Sequence, residues 1–226
     1  MTAIVCDSSS LISLAETCNI AALAFLRERS QARFVIPPSV HREIITCPIN
    51  IPHLEFSAVR LNKLVVDGIV SVVSSPQLAA STREILYLAN SVFRLDGRPL
   101  EIVHAGEAEC LAAYSSANAS ALAIDEKTTR LLVEDPEKLY SVIREEHAHA
   151  GNLWIDKPSL ERFRQRTAGM QVLRSSELLA SAALKGFFSE YGDFADQAFH
   201  AGVFALRRAG CSLTGGEISE YRNVRL

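Results

Sequence analysis

Over the first 135 residues of this chain, short apolar runs alternate with longer stretches of helical spacing. That alternation constrains the fold more than any other feature. Ala3–Cys6, Arg33–Ile36, Ile69–Val73 and Ala121–Ile124 are short runs, three of them carrying β-branched Val and Ile, and they read as strands. Between them lie helix-like stretches: one with Leu11, Ile12, Leu14 and Ala15 on a single face, then residues 20–29, 54–66 and 77–94. Strands that alternate with helices predict an α/β domain with a parallel sheet. Four strands leave room for a three-layer sandwich, with helices on both faces.

The punctuation agrees. Ser8-Ser9-Ser10 can cap the first helix. Pro37-Pro38 ends the second strand and opens a helix carrying Glu43. Asp96-Gly97-Arg98-Pro99 reads as a turn, and an alanine-rich helix runs from His104 to about Ala117. From Asp135-Pro136-Glu137, a helix start, the character changes, and residues 137–166 are more charged. Met170–Leu173 is a candidate fifth strand. Apolar helices are expected over Ser175–Phe188 and Phe194–Arg208, and Thr214-Gly215-Gly216-Glu217 fits a capping box opening a last one.

Composition narrows the class. With 226 residues and 48% apolar content, the chain buries enough core to fold without a metal or disulfide staple. The five cysteines are odd in number and form no CxxC, which argues against a disulfide framework or zinc ribbon. Cys6 and Cys110 sit in apolar runs and read as core. No secretory leader and no apolar window long enough for a membrane helix is visible, so a cytoplasmic protein without a membrane role is expected. A net charge of −3 leaves any nucleic-acid contact to a local patch.

In an open parallel sheet, ligands bind beyond the carboxyl ends of the strands. Asp7 ends the first strand, and Asp125-Glu126 ends the fourth. Glu43 lies on the helix after the second strand, and Glu107 and Glu109 stand in the first turn of a later helix. Carboxylates brought together there repel and raise one another's pKa, unless a cation neutralises them. An all-oxygen donor set suits Mg²⁺ or Mn²⁺ and supports phosphodiester hydrolysis. Singly, each acid also has a plain structural reading: Glu107 and Glu109 as helix-dipole partners, Glu43 as a solvated side chain, Asp125 as an N-cap. Asp7 is the hardest to read that way, because a carboxylate closing a buried strand is costly unless it is bonded. Competing chemistries lack their motifs. No GxGxxG, GxxxxGK or GxSxG occurs, and Ser9 stands where a haloacid-dehalogenase-type phosphotransferase needs a second Asp.

Taken in order, Asp7-Ser8-Ser9-Ser10-Leu11-Ile12, Pro38-Ser39-Val40-His41-Arg42-Glu43, Ala105-Gly106-Glu107-Ala108-Glu109 and Ile124-Asp125-Glu126-Lys127-Thr128-Thr129-Arg130 resemble a PIN domain. The resemblance covers about residues 1–135. It implies a Rossmann-like three-layer sandwich over residues 1–188, with an insertion at about 136–166. Residues 189–226 would form a helical appendage packed on the same domain. It further implies a metal-dependent endoribonuclease, with Asp7, Glu43, Glu107 and Asp125 as catalytic, Mg²⁺- or Mn²⁺-binding acids. Glu109 and Glu126 are reserve ligands, either Asp125 or Glu126 can be the fourth acid, and Ser9 supports the first. RNA is the implied substrate. Since the family includes toxins of toxin–antitoxin pairs, an antitoxin-like partner or a homodimer is also implied. The alternative is a PIN-like interaction module with incomplete metal binding.

Basic residues near the acids are Arg42, Lys127 and Arg130, and Lys127 and Arg130 are the candidates for gripping substrate phosphate. His104 beside the Gly-Glu-Ala-Glu run could contact phosphate, or be plain surface. Arg162-Phe163-Arg164-Gln165-Arg166 could grip single-stranded RNA, or form a charged helix face. His147 and His149 are about 200° apart on a helix and read as a polar segment rather than a metal pair.

Overall fold

A computed structural model describes residues 2–146 and 151–226. His147 and His149 lie outside the described residues. Among the described residues there are eight strands: β1 (Ala3–Cys6), β2 (Arg33–Ile36), β3 (Val70–Val72), β4 (Phe93–Leu95), β5 (Arg98–Pro99), β6 (Ala121–Ala123), β7 (Leu153–Ile155) and β8 (Val172–Leu173). The helices are α1 (Ser8–Glu16), α2 (Ala21–Ser30), α3 (Pro38–His41), α4 (Glu55–Val66), α5 (Leu78–Ala89), α6 (Ala105–Ser116), α7 (Lys127–Glu134), α8 (Pro136–Glu146), α9 (Lys157–Arg166), α10 (Ser175–Ala183), α11 (Ala195–Arg208) and α12 (Gly215–Tyr221).

The main sheet has the order β3-β2-β1-β6-β8, and all of its pairings are parallel. Helices flank it, giving the expected three-layer α/β sandwich. β1 is buried along its whole length, as a central parallel strand covered on both faces must be. From β1 the chain winds through β2 and β3 to one edge, then returns to the other side of β1 as β6 and β8. The topological switch point therefore lies between β1 and β6, which is where such sheets bind ligands. The fifth strand is β8, at the edge beside β6.

A second, antiparallel sheet of order β5-β4-β7 was not expected. The stretch read as helix to Arg94 stops at Ala89, and Phe93 enters a strand. The reason is local. Asp96 and Gly97 have φ of 49° and 80°, the two positive values of a two-residue hairpin turn, and Leu95 pairs with Arg98 across them. Asn90 reinforces the stop: its Oδ1 accepts the N–H groups of Ile102 and Val103, each at 2.8 Å, and its Nδ2 donates to Val103 O at 2.9 Å. That clamp fixes the segment leading into α6.

The helix expected to reach Phe188 also ends early. Phe187 N–H bonds Ala182 O and Gly186 N–H bonds Ala183 O, with Gly186 at φ 94°: a Schellman stop that needs a left-handed residue. The Thr214 capping box forms, with Glu217 accepting from Thr214 N–H at 2.7 Å. The cap of α1 differs from expectation. Asp7 holds that position and accepts from Ser9 N–H, while Ser10 Oγ reaches Ala123 O at 3.1 Å, stitching β1 to β6. Cys6 and Cys110 are fully buried, and all five cysteines are free. Phe199, Val203 and Leu206 of α11 and Ile218 of α12 join the same apolar core as β1 and β6. Among the described residues no single helix is long and apolar enough to cross a membrane.

Candidate functional site

Asp7 leaves the end of β1 at the switch point with only 3% of its surface exposed. One carboxylate oxygen, Oδ2, accepts Ser9 N–H at 3.0 Å and Ser9 Oγ–H at 2.6 Å. The other, Oδ1, accepts the Cys110 thiol at 3.5 Å. Burial pushes the Asp7 carboxyl above its ordinary range, and the bonds from Ser9 and Cys110 pull it partly back. The same burial, with Asp7 beside it, drives the Cys110 thiol up, so Cys110 is a neutral donor here rather than a thiolate. Ser9 serves two strand ends at once, because its Oγ also accepts Asp125 N–H at 3.0 Å.

Three further carboxylates face Asp7 around a cavity of about 490 Å³, lined by Asp7, Ser8, Ser9, Ile12, Glu43, His104, Gly106, Glu107 and Glu126. Glu107 stands in the first turn of α6 and accepts His104 N–H at 2.7 Å. Its carboxyl is pushed up by burial and by the charges of Glu126 and Asp7, against the His104 N–H bond and the His104 charge. Glu43 follows α3 in a wider turn closed by Cys47 N–H on Arg42 O at 2.8 Å, an i to i+5 bond of the kind found as single turns at functional sites. Its Oε2 lies 3.7 Å from where a Cβ on Gly106 would sit, which places Glu43 beside the start of α6. Glu126 caps α7, accepting Thr128 N–H at 2.7 Å and Thr129 N–H at 2.6 Å.

The remaining sequence candidates stand elsewhere. Asp125 does not line the cavity. It is 1% exposed, and its two oxygens accept Ser175 N–H and Ser175 Oγ–H, each at 2.7 Å. Glu109 accepts Ser39 N–H at 2.8 Å and serves the start of α3. Arg130 pairs with Glu134 at 2.8 Å, and Lys127 is exposed at the start of α7. Neither lines the cavity, nor does Arg42. The sequence reading missed the Cys110 bond, and it preferred Asp125 to Glu126. The residue that claims Asp125 is Ser175, 50 positions on, and no local pattern announces a partner at that distance. The cap of Glu126 on Thr128 and Thr129 was the one local signal for its placement.

The donor set fits a hard divalent cation: four carboxylates with His104 as the one nitrogen side chain in the described lining, Glu107 pushed up by burial and then by like charge, and no Lys or Arg in the described lining. As placed, no three His, Cys, Asp or Glu side chains among the described residues converge tightly enough to grip one ion. Mg²⁺ does not require such a cage. It commonly takes one or two carboxylates and completes its shell with water and phosphate.

A family model described as a PIN domain matches residues 3–135. Neither the curated proteins nor the solved structures contain a match to the chain. The matched segment covers more than half of the 226 residues and takes in β1, β6 and all four cavity acids, and the chain belongs to the PIN-domain family, a nuclease-type fold.

Proposed function

We propose that the chain is a Mg²⁺- or Mn²⁺-dependent endoribonuclease that hydrolyses RNA phosphodiester bonds. The observation that carries this reading is the cavity at the switch point, lined by Asp7, Glu43, Glu107 and Glu126 with His104 beside them and with no Lys or Arg in the described lining. Asp7, Glu43, Glu107 and Glu126 would hold the cation, one or two of these carboxylates on an ion at a time, with water and phosphate completing its shell. A bound divalent cation supplies charge neutralisation and Lewis acidity at the scissile phosphate. The protein's own part is positioning. Ser9 and Cys110 fix both oxygens of Asp7, so its carboxylate is aimed before substrate arrives. The His104 N–H and the first turn of α6 hold Glu107 at the mouth. Lys127 and Arg130, just past Glu126 on α7, are the cations that would meet RNA phosphates outside the acidic pocket. An antitoxin-like protein or a second copy of the chain would be the partner, as for the toxin members of the family.

The test is cleavage of labelled single-stranded RNA by the purified chain in Mg²⁺ or Mn²⁺, with EDTA and a DNA of the same sequence as controls. Asp7→Asn and Glu107→Gln should each lower the rate at least about 100-fold. Wild-type rates in both variants would sink the assignment. The spacing of the acids favours one rival, a PIN-like module that binds metal incompletely. That rival predicts no metal-dependent cleavage by the wild type and no change on replacing Asp7.

A further inference from the structure

We infer that Asp125 is a positioning residue that fastens the turn between β6 and α7 to the C-terminal helices and so sets where Glu126 stands in the cavity; this rests on the nuclease reading above. Two neighbouring acids have opposite surroundings. Asp125 is buried with both oxygens engaged by Ser175, itself fully buried. Drawing Asp125 into the cavity would break both bonds and leave the N–H and hydroxyl of Ser175 without an acceptor, the costly side of hydrogen-bond exchange. Glu126 gives one lone pair of each oxygen to the α7 amides, and a carboxylate keeps about two further sites for a cation.

The tie continues beyond Ser175. Ile124 N–H bonds Leu173 O at 2.8 Å, so the β6–β8 ladder runs directly into the Asp125–Ser175 pair. Arg174, the residue before α10, donates to Glu177 at 2.6 Å, Glu217 at 2.7 Å and Ser212 O at 2.9 Å. The start of α10 is thereby pinned to α12. On the other side, Asp125 N–H reaches Ser9 Oγ, which holds Asp7. One residue joins the C-terminal helices to two cavity acids.

Asparagine can reproduce the geometry of Asp125, its Oδ1 accepting the Ser175 N–H and its Nδ2 donating to Oγ. Asp125→Asn should therefore melt like the wild type, with Mn²⁺ affinity by calorimetry and RNA cleavage both within about threefold of wild type. Asp125→Ala should speed amide exchange at Thr128 and Thr129 by at least about tenfold and lower cleavage at least as much. Ser175→Ala, which removes only the hydroxyl bond, should move both readings the same way by a smaller factor, and it serves if Asp125→Ala does not fold. Glu126→Gln should weaken Mn²⁺ binding about tenfold or more. The inference is overturned if Asp125→Asn loses Mn²⁺ affinity and cleavage while melting like the wild type. It is overturned too if neither Asp125→Ala nor Ser175→Ala changes exchange at Thr128 and Thr129. Should Asp7→Asn and Glu107→Gln cleave normally, the nuclease reading fails, and the exchange rates alone still decide the tie.

Discussion

The molecule has two concentrations of carboxylates, and they are built on opposite principles. At the seam around Arg174, two acids share a cation. Glu177 and Glu217 both bond one guanidinium, whose side chain is only 11% exposed. Partial burial pushes the Glu217 carboxyl upward, but the Thr214 amide and hydroxyl and the Arg174 charge outweigh it and bring it down to about 2. At the cavity, Asp7, Glu43, Glu107 and Glu126 have N–H, O–H and S–H donors, each other and the imidazole of His104, but no Lys or Arg in the described lining. There Asp7 and Glu107 are pushed up. Acids at the seam are satisfied by the fold and stabilise it. Acids at the cavity are left with charge that the described lining does not neutralise, which is the electrostatic signature of a site waiting for a ligand.

The largest effect that separates the two regions is loss of the seam cation. Arg174→Ala strands two partly buried carboxylates and the Ser212 carbonyl, at a cost of about 3 kcal/mol. For a chain of this size that lowers Tm by about 6–12 °C. A drop of under about 2 °C by differential scanning calorimetry would show that the seam is decoration.

Next comes the cation the cavity lacks. Adding Mn²⁺ to about 100 times its Kd should stabilise the wild type by about 2.7 kcal/mol and raise Tm accordingly. Asp7→Asn should lose most of that rise. An equal rise in both proteins would place the bound ion elsewhere.

How much of this contrast was legible in the sequence depends on range. Asp7 and Glu107 could be placed because each belongs to a local unit, a strand end and a helix start, whose geometry is set within a few residues. The hairpin was equally local, since Asp96-Gly97 is a two-residue turn signal, but the preceding helical period carried the reading past Ala89. Asp125 was not legible. Its surroundings come from Ser175, and the position of Ser175 depends on β8 pairing with β6 and on Arg174 reaching α12. Contacts of that span leave no periodic mark. The contrast between seam and cavity was invisible for the same reason: the sequence shows 26 acidic residues and does not show which of them face a guanidinium.

Smaller still is the effect of removing charge from the cavity itself. In metal-free buffer at neutral pH, Asp7→Asn relieves a buried carboxylate while keeping the Ser9 bonds, and should raise Tm above that of the wild type. Since the folded pKa of Asp7 is raised, the folded state holds its proton more tightly than the unfolded chain does. Wild-type stability from this group is therefore lost as pH rises above 3.8. The advantage of the variant should appear over that rise and vanish below it.

Glu217→Gln gives the smallest effect and the opposite sign. Its carboxylate is about a third exposed, so the loss at pH 7 should be about 1 kcal/mol after allowing for solvent screening. The folded pKa is depressed to about 2 from an ordinary 4.5, so the contribution is fully present above 4.5 and disappears as pH falls toward 2. The difference in Tm between wild type and Glu217→Gln should close over that window, while the difference for Asp7→Asn should close below pH 3.8 from the other side. Two carboxylate variants whose stability differences have opposite signs at neutral pH would establish that the seam and the cavity use charge in opposite senses. Differences of the same sign would mean that Asp7 is satisfied as fully as Glu217, and the cavity would lose its claim to be a site.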